Sequence, residues 1–218
     1  SVTNVLNVLG KPGLEAWKAT QYIEAALTLP RLPGESLDEF AKRVVTDAET
    51  KSAAARDFGT RIHKVIEFEL TGERILPPPE DLEPFMLPIR EWLKNHVGEI
   101  YGAEVIVGIE RYGYAGKLDL DCELAGQGRA LIDFKTQGLK AGKPPTFYNE
   151  WGKQLAAYKI AREESEGTAI HSCLSVVIDS SKPQAPFVQS WGQLGRHFEL
   201  FQCCLELWRD ENKYDPRR

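Results

Sequence analysis

The chain has 218 residues, 42% of them hydrophobic, with 27 Lys plus Arg against 32 Asp plus Glu for a formal charge of −5. That length buries a core without disulfide or metal staples, and no stretch approaches the roughly 18 consecutive apolar residues that cross a membrane. A net negative charge excludes a general cationic coat for nucleic acid, so any such binding needs a local basic patch.

Ser1 to Leu29 reads as helix broken at Pro12-Gly13, and Arg31 to Gly34 as a proline-punctuated loop. Ser36-Leu37-Asp38-Glu39 has the capping-box pattern, and the helix it opens runs to about Leu70. On that helix Glu67 follows His63 by one turn, so the two can reach one ion or anchor each other. Taken alone, His63 reads as a satisfied core histidine. Pro77-Pro78-Pro79 marks a loop, Leu87 to Val97 a further helix, and Glu104 to Arg111 the first strand of a sheet. Glu110 can serve a second metal or a salt bridge around Arg111.

Gly113 to Gln137 carries the chemistry. Alternation turns Leu118, Leu120, Cys122 and Leu124 to one face and Asp119, Asp121 and Glu123 to the other. The Ala125-Gly126-Gln127-Gly128 cluster is a hairpin turn, and Arg129 to Lys135 is the returning strand. Asp133 and Lys135 lie two apart on it and so share a face, close to Asp119 in ordinary register. Two carboxylates and an ammonium then converge, a set suited to a hard divalent cation and an attacking water. Asp121 and Glu123 read as a solvated face.

Gly152 to Glu163 reads as an amphipathic helix, Cys173 to Ile178 as an apolar strand, Trp191 to Arg209 as a final helix, and Asp210 to Arg218 as a polar, frayed tail. From Lys135 to Arg162 six positive residues face one negative, a local charge of +5. Phe147, Tyr148, Trp151 and Tyr158 are interleaved there; Phe147 and Trp151 read equally as base-stacking platforms and as core. Strands in the middle with helices on both sides give an α/β core under an N-terminal helical layer. The expected organisation is one domain over 1–218: a helical layer to 98, a catalytic sheet and helix over 99–180, and a C-terminal helix and tail over 181–218.

Ile132-Asp133-Phe134-Lys135-Thr136, preceded by Gly116-Lys117-Leu118-Asp119, resembles the PD-(D/E)XK nuclease superfamily in its RecB-like branch. Gly59 to Glu67 resembles the branch's helical histidine motif, and Gln154-Leu155-Ala156-Ala157-Tyr158 its glutamine-tyrosine motif. With Ser1 to Leu6 and Pro12 to Lys18, the chain is most similar to the mitochondrial genome maintenance exonucleases and their bacterial or phage relatives.

The resemblance implies a restriction-endonuclease-like core, a central mixed sheet flanked by helices. It also implies phosphodiester hydrolysis with one or two Mg²⁺ or Mn²⁺ ions. Asp119, Asp133, the Phe134 main-chain carbonyl and His63 would be the ligands, with Glu67 and Glu110 in support. Lys135 would orient the water or offset phosphoryl charge, and Gln154 and Tyr158 would hold either the nucleic-acid backbone or Lys135. The implied partner is DNA with free single-stranded ends, following Lys140, Lys143, Trp151 and Lys153, and no membrane. A structure-specific endonuclease and a non-catalytic DNA-binding module are the alternatives. Some RecB-like nucleases hold an iron-sulfur cluster through one cysteine before the histidine motif and a spaced trio near the C-terminus; Cys122, Cys173 and the adjacent Cys203-Cys204 lack that spacing, so no cluster is expected. The thiols are expected reduced, in the cytoplasm of a bacterium or from a phage, or in mitochondria if a leader has been trimmed.

Overall fold

The computed structural model describes residues 1–72 and 79–217. Pro77 and Pro78 of the expected loop lie outside them. The chain divides into two compact units, Gly10–Arg61 and a larger one made of Ser1–Leu9 with Ile62–Arg218.

The smaller unit is helical. Its helix α2 (Pro12–Thr28) starts on a proline, which needs no helical partner for the N–H it lacks. Helix α3 (Leu37–Thr71) opens on the expected capping box. Ser36 N–H donates to Glu39 Oε2 at 2.9 Å while Glu39 N–H donates back to Ser36 Oγ at 3.3 Å.

The larger unit, which takes α3 from Ile62 onward, is built on a five-stranded mixed sheet in the order β1 (Val97–Ile109), β2 (Tyr114–Leu124), β3 (Gly128–Gln137), β4 (Ser172–Asp179) and β5 (Phe187–Ser190). All neighbours are antiparallel except β3 and β4, which run parallel. A parallel pair needs a crossover, and α5 (Asn149–Glu166) supplies it. With α1 (Val2–Leu6), α4 (Glu83–His96) and α6 (Leu194–Asn212), this is an α/β fold with helices flanking a mixed sheet and a helical N-terminal region.

Helix α5 is less amphipathic than expected: Gln154 to Tyr158 are buried without a break. It lies between the sheet and a second layer formed by α1 and α6, so both faces meet core. Gly116 on β2 permits this approach, because a Cβ there would stand 2.6 Å from the Tyr158 ring. Three further differences have local causes. Strand β1 begins at Val97, seven residues before Glu104, and reaches regular pairing only through register shifts before Gly102. Strand β5, four residues long, is too short to show a periodicity. The tail after Asn212 is tied down rather than frayed: Asp215 pairs with Arg217 at 2.6 Å and lies 3.6 Å from Arg209.

Cys122, Cys173 and Cys204 are buried and Cys203 is exposed, all as free thiols. Burial pushes the Cys122 and Cys173 thiols up to about 12, so they behave as apolar core.

Candidate active site

Register aligns the acids. The β2–β3 ladder runs from Leu124 opposite Gly128 to Leu120 opposite Ile132, which brings Asp119 and Asp133 to the end of the paired segment. There the Asp119 carboxylate accepts a hydrogen bond from Phe134 N–H at 2.7 Å. A strand residue directs its N–H and C=O to the same side, so the Phe134 carbonyl also points toward Asp119.

His63 on α3 approaches from above, its Nδ1 3.7 Å from Asp119 Oδ2. Glu104, which sequence reasoning missed, completes the group: ligand atoms of His63, Glu104 and Asp119 lie within 4.8 Å of one another. On β1, Ala103 pairs with Leu120 and Val105 with Leu118, so Glu104 stands across from Asp119. The signal was available in the turn. Counting back from the Ile109–Tyr114 pair that closes the β1–β2 hairpin leads from Asp119 to Glu104. Glu104 has a left-handed backbone with φ +53°, a conformation that costs a non-glycine residue about 1–3 kcal/mol and collects at functional sites. Its carboxylate pairs with the ammonium of Lys117.

Asp133 is 2% exposed. Its Oδ1 accepts from Gln154 Nε2 at 3.0 Å. Its Oδ2 lies 2.6 Å from Lys135 Nζ, but at an angle outside a hydrogen bond, so that buried oxygen has no hydrogen-bond donor. Lys135 Nζ donates to Gln154 Oε1 at 3.1 Å, and Gln154 Nε2 also donates to Tyr158 Oη at 3.1 Å. Gln154 and Tyr158 are 7% and 2% exposed, so Gln154 holds Asp133 and Lys135 while Tyr158 holds Gln154, and both are closed to a nucleic-acid backbone.

Electrostatics follow from crowding. Burial, then the charge of Asp133, raises the Asp119 carboxyl well above its ordinary value. Burial lowers His63 despite the neighbouring carboxylates, so its imidazole is neutral at pH 7 with a lone pair free for a metal. The two carboxylates of Glu104 and Asp119 and the neutral imidazole of His63 form a donor set that could hold a metal ion.

The other expected residues lie as follows. Glu67 is outside the converging three and adds to the negative charge that raises Lys117. Glu110 is exposed in the turn, and Arg111 pairs with Glu164 instead. Asp121 is not solvated: it is fully buried between Arg129 and Arg162, at 2.5 Å and 2.8 Å. Two guanidinium groups make burying that carboxylate tolerable. Trp151 is 8% exposed, edge-on to Phe147 and Tyr148 with Lys135 Nζ 5.8 Å above its ring, so it is a wall under the lysine and not an open stacking platform. Lys153 Nζ donates to Asn149 O at 3.3 Å on α5. Lys140 and Lys143 line a cleft beyond the end of β3.

No protein-family model matches this chain, and no curated protein matches it. Among solved structures it is similar to a protein from Eubacterium rectale proposed to be an exonuclease, at 13% identity and TM-score 0.47, over 73% of this chain and 68% of that one. It is also similar to SSO0001, at 13% identity and TM-score 0.36, over 89% and 86% of the two chains. Likenesses at this level decide no chemistry. That rests on the side chains themselves.

Proposed function

We propose that this protein is a divalent-metal-dependent DNA nuclease of the RecB-like kind, acting as an exonuclease on free single-stranded ends. The observation that carries the reading is the convergence of His63, Glu104 and Asp119 within 4.8 Å, beside the pair of buried Asp133 and half-buried Lys135 on the adjoining strand.

His63, Glu104, Asp119, Asp133 and the Phe134 carbonyl would hold the ion. When bound, it supplies Lewis-acid charge at the phosphoryl oxygens and lowers the pKa of a water. The chain's own residues do the rest. Lys135 is held between the Asp133 carboxylate and Gln154 Oε1, so its ammonium is fixed where it can orient a water and offset charge developing on the phosphorus oxygens. Gln154 bridges Asp133, Lys135 and Tyr158 and prevents both catalytic groups from rotating away.

The test uses end-labelled linear single-stranded, linear duplex and circular DNA with Mg²⁺, Mn²⁺ or EDTA. Linear single strands should be degraded with either metal while circles survive. Cut circles select an endonuclease, and binding without cleavage selects a non-catalytic module.

The imidazole makes a separate prediction. His63→Ala should weaken binding of Mn²⁺ more than of Mg²⁺, because the lost donor is nitrogen, and titration calorimetry on both ions measures the difference. A variant with a lower melting temperature and unchanged affinity for both ions would return His63 to the core.

A further inference from the structure

We propose that the cleft at the carboxyl ends of β3 and β4 binds one nucleotide of the DNA strand, its phosphate on Lys140, Lys143 and Lys182 and its base against Phe187. The proposal rests on the nuclease reading above and names where that substrate is gripped.

The cleft measures about 470 Å³ and is lined by the loop from Leu139 to Pro144 on one side and by Asp179, Ser181, Lys182, Gln184 and Phe187 on the other. Open α/β sheets place ligand crevices outside the carboxyl ends of parallel strands, and β3 with β4 is the sheet's parallel pair. The size suits a nucleotide unit.

Both walls are built. Gln137 holds the first loop by a reciprocal pair with Thr146, Nε2 to the carbonyl at 2.7 Å and Oε1 from the N–H at 3.1 Å. Within that loop Lys143 N–H donates to Lys140 O at 3.0 Å across a turn with Gly142 at φ +73°. The turn sets Lys140 and Lys143 side by side. Asp179 joins the two walls: its Oδ1 accepts from Leu139 N–H at 3.2 Å and Ser181 N–H at 2.8 Å, and its Oδ2 from Gln184 Nε2 at 2.5 Å.

Charge selects an anion. Burial alone would raise the Asp179 carboxyl, but its hydrogen bonds outweigh that and hold it below the ordinary carboxylate range, ionised and fully occupied. The facing cations are unspent. Among the described residues Lys140, Lys143 and Lys182 are exposed and enter no ion pair. Three free ammonium groups face one satisfied carboxylate, and half-buried Phe187 offers an aromatic surface. Lys135 and Leu139 are four residues apart, about 13 Å along extended chain, so a strand cleaved at the acids reaches the cleft within a few nucleotides.

Fluorescence anisotropy of a labelled thymidine oligonucleotide, titrated with the full chain in EDTA over a salt series, reads binding without cleavage. The double variant Lys143→Ala with Lys182→Ala takes one ammonium from each wall and should lower the log-log salt slope by about 0.7, the value of the one phosphate contact they complete on a single strand. Lys94→Ala with Lys213→Ala makes the same charge change elsewhere and should leave the slope unaltered. Phe187→Leu should weaken binding with no change of slope. Equal slopes for the two double variants overturn the proposal. Thymidine 5′-monophosphate binding as tightly as the oligonucleotide overturns the strand assignment in favour of a free nucleotide. The nuclease reading is separable: cleavage in Mn²⁺ with equal slopes sinks the cleft alone, whereas the expected slope change with no cleavage sinks the nuclease and keeps the cleft.

Discussion

Replacing Asp133 by asparagine should reduce metal-dependent DNA cleavage by about 10³-fold or more, beyond what loss of a single hydrogen-bond donor costs an active site. Asparagine is the informative choice, because its amide oxygen can still accept from Gln154 Nε2 as Asp133 Oδ1 does at 3.0 Å. The shape is kept and the charge removed. Alanine would strip Lys135 of its carboxylate and Gln154 of an acceptor, so stability and chemistry would fail together. Rates on end-labelled DNA, with melting temperature measured in EDTA, separate the two. Near-wild-type cleavage by a folded Asp133→Asn protein would remove Asp133 from the site.

Two carboxylates two residues apart on β2 should respond to substitution in opposite directions. Asp121→Ala leaves Arg129 and Arg162, both nearly buried, without their buried carboxylate and with only the more exposed Glu166 between them. Breaking a buried ion pair from one side costs about 3–5 kcal/mol, and at 2–4 °C for each kcal/mol in a chain of this size the melting temperature should fall by roughly 6–20 °C. Asp119→Asn should do the reverse in the metal-free protein. The folded Asp119 carboxyl is raised above its unfolded value by burial and by Asp133. It therefore binds its proton more tightly folded than unfolded, and folding stability is lost as pH rises from the unfolded value through the folded one. Asparagine removes that loss while its oxygen can still accept from Phe134 N–H. The variant's advantage in EDTA should grow as pH rises above the ordinary carboxylate range. Adding Mn²⁺ should reverse the order, since a ligand at 100 times its Kd stabilises the protein that binds it by about 2.7 kcal/mol. Thermal melts across pH, with and without metal, check all three signs; an Asp119→Asn protein no more stable than wild type in EDTA at pH 8 would contradict the electrostatic account.

What the sequence disclosed and concealed follows from the range of the forces involved. The hairpin acids were legible because alternation and a glycine-rich turn are local, and local pattern sets register. The capping box of α3 and the helix carrying Gln154 and Tyr158 were legible for the same reason. Asp121 was misread because one of its partners, Arg162, lies 41 residues away on another element, and nothing in a strand's own pattern announces a distant guanidinium. Trp151 was ambiguous because an indole among lysines has the same composition whether it faces solvent or core. Glu104 was missed because its place opposite Asp119 depends on how many residues the Glu110–Tyr112 turn spends between two strands, and on a left-handed backbone that glutamate seldom adopts.

That turn is clasped from far along the chain. Arg209 donates to the Tyr112 carbonyl across 97 residues of sequence, and a Cβ on Gly113 would stand 2.9 Å from both Pro216 and Arg217. During synthesis, the strands bearing Glu104, Asp119 and Asp133 are made long before the segment that closes over the Glu110–Tyr112 turn, and a compact unit folds as a whole. The acids of the candidate site are thus present early, and the turn between their strands is closed late. Until residues 209–217 are in place, the chain carries those acids without the contacts that close over the turn joining the strands of Glu104 and Asp119.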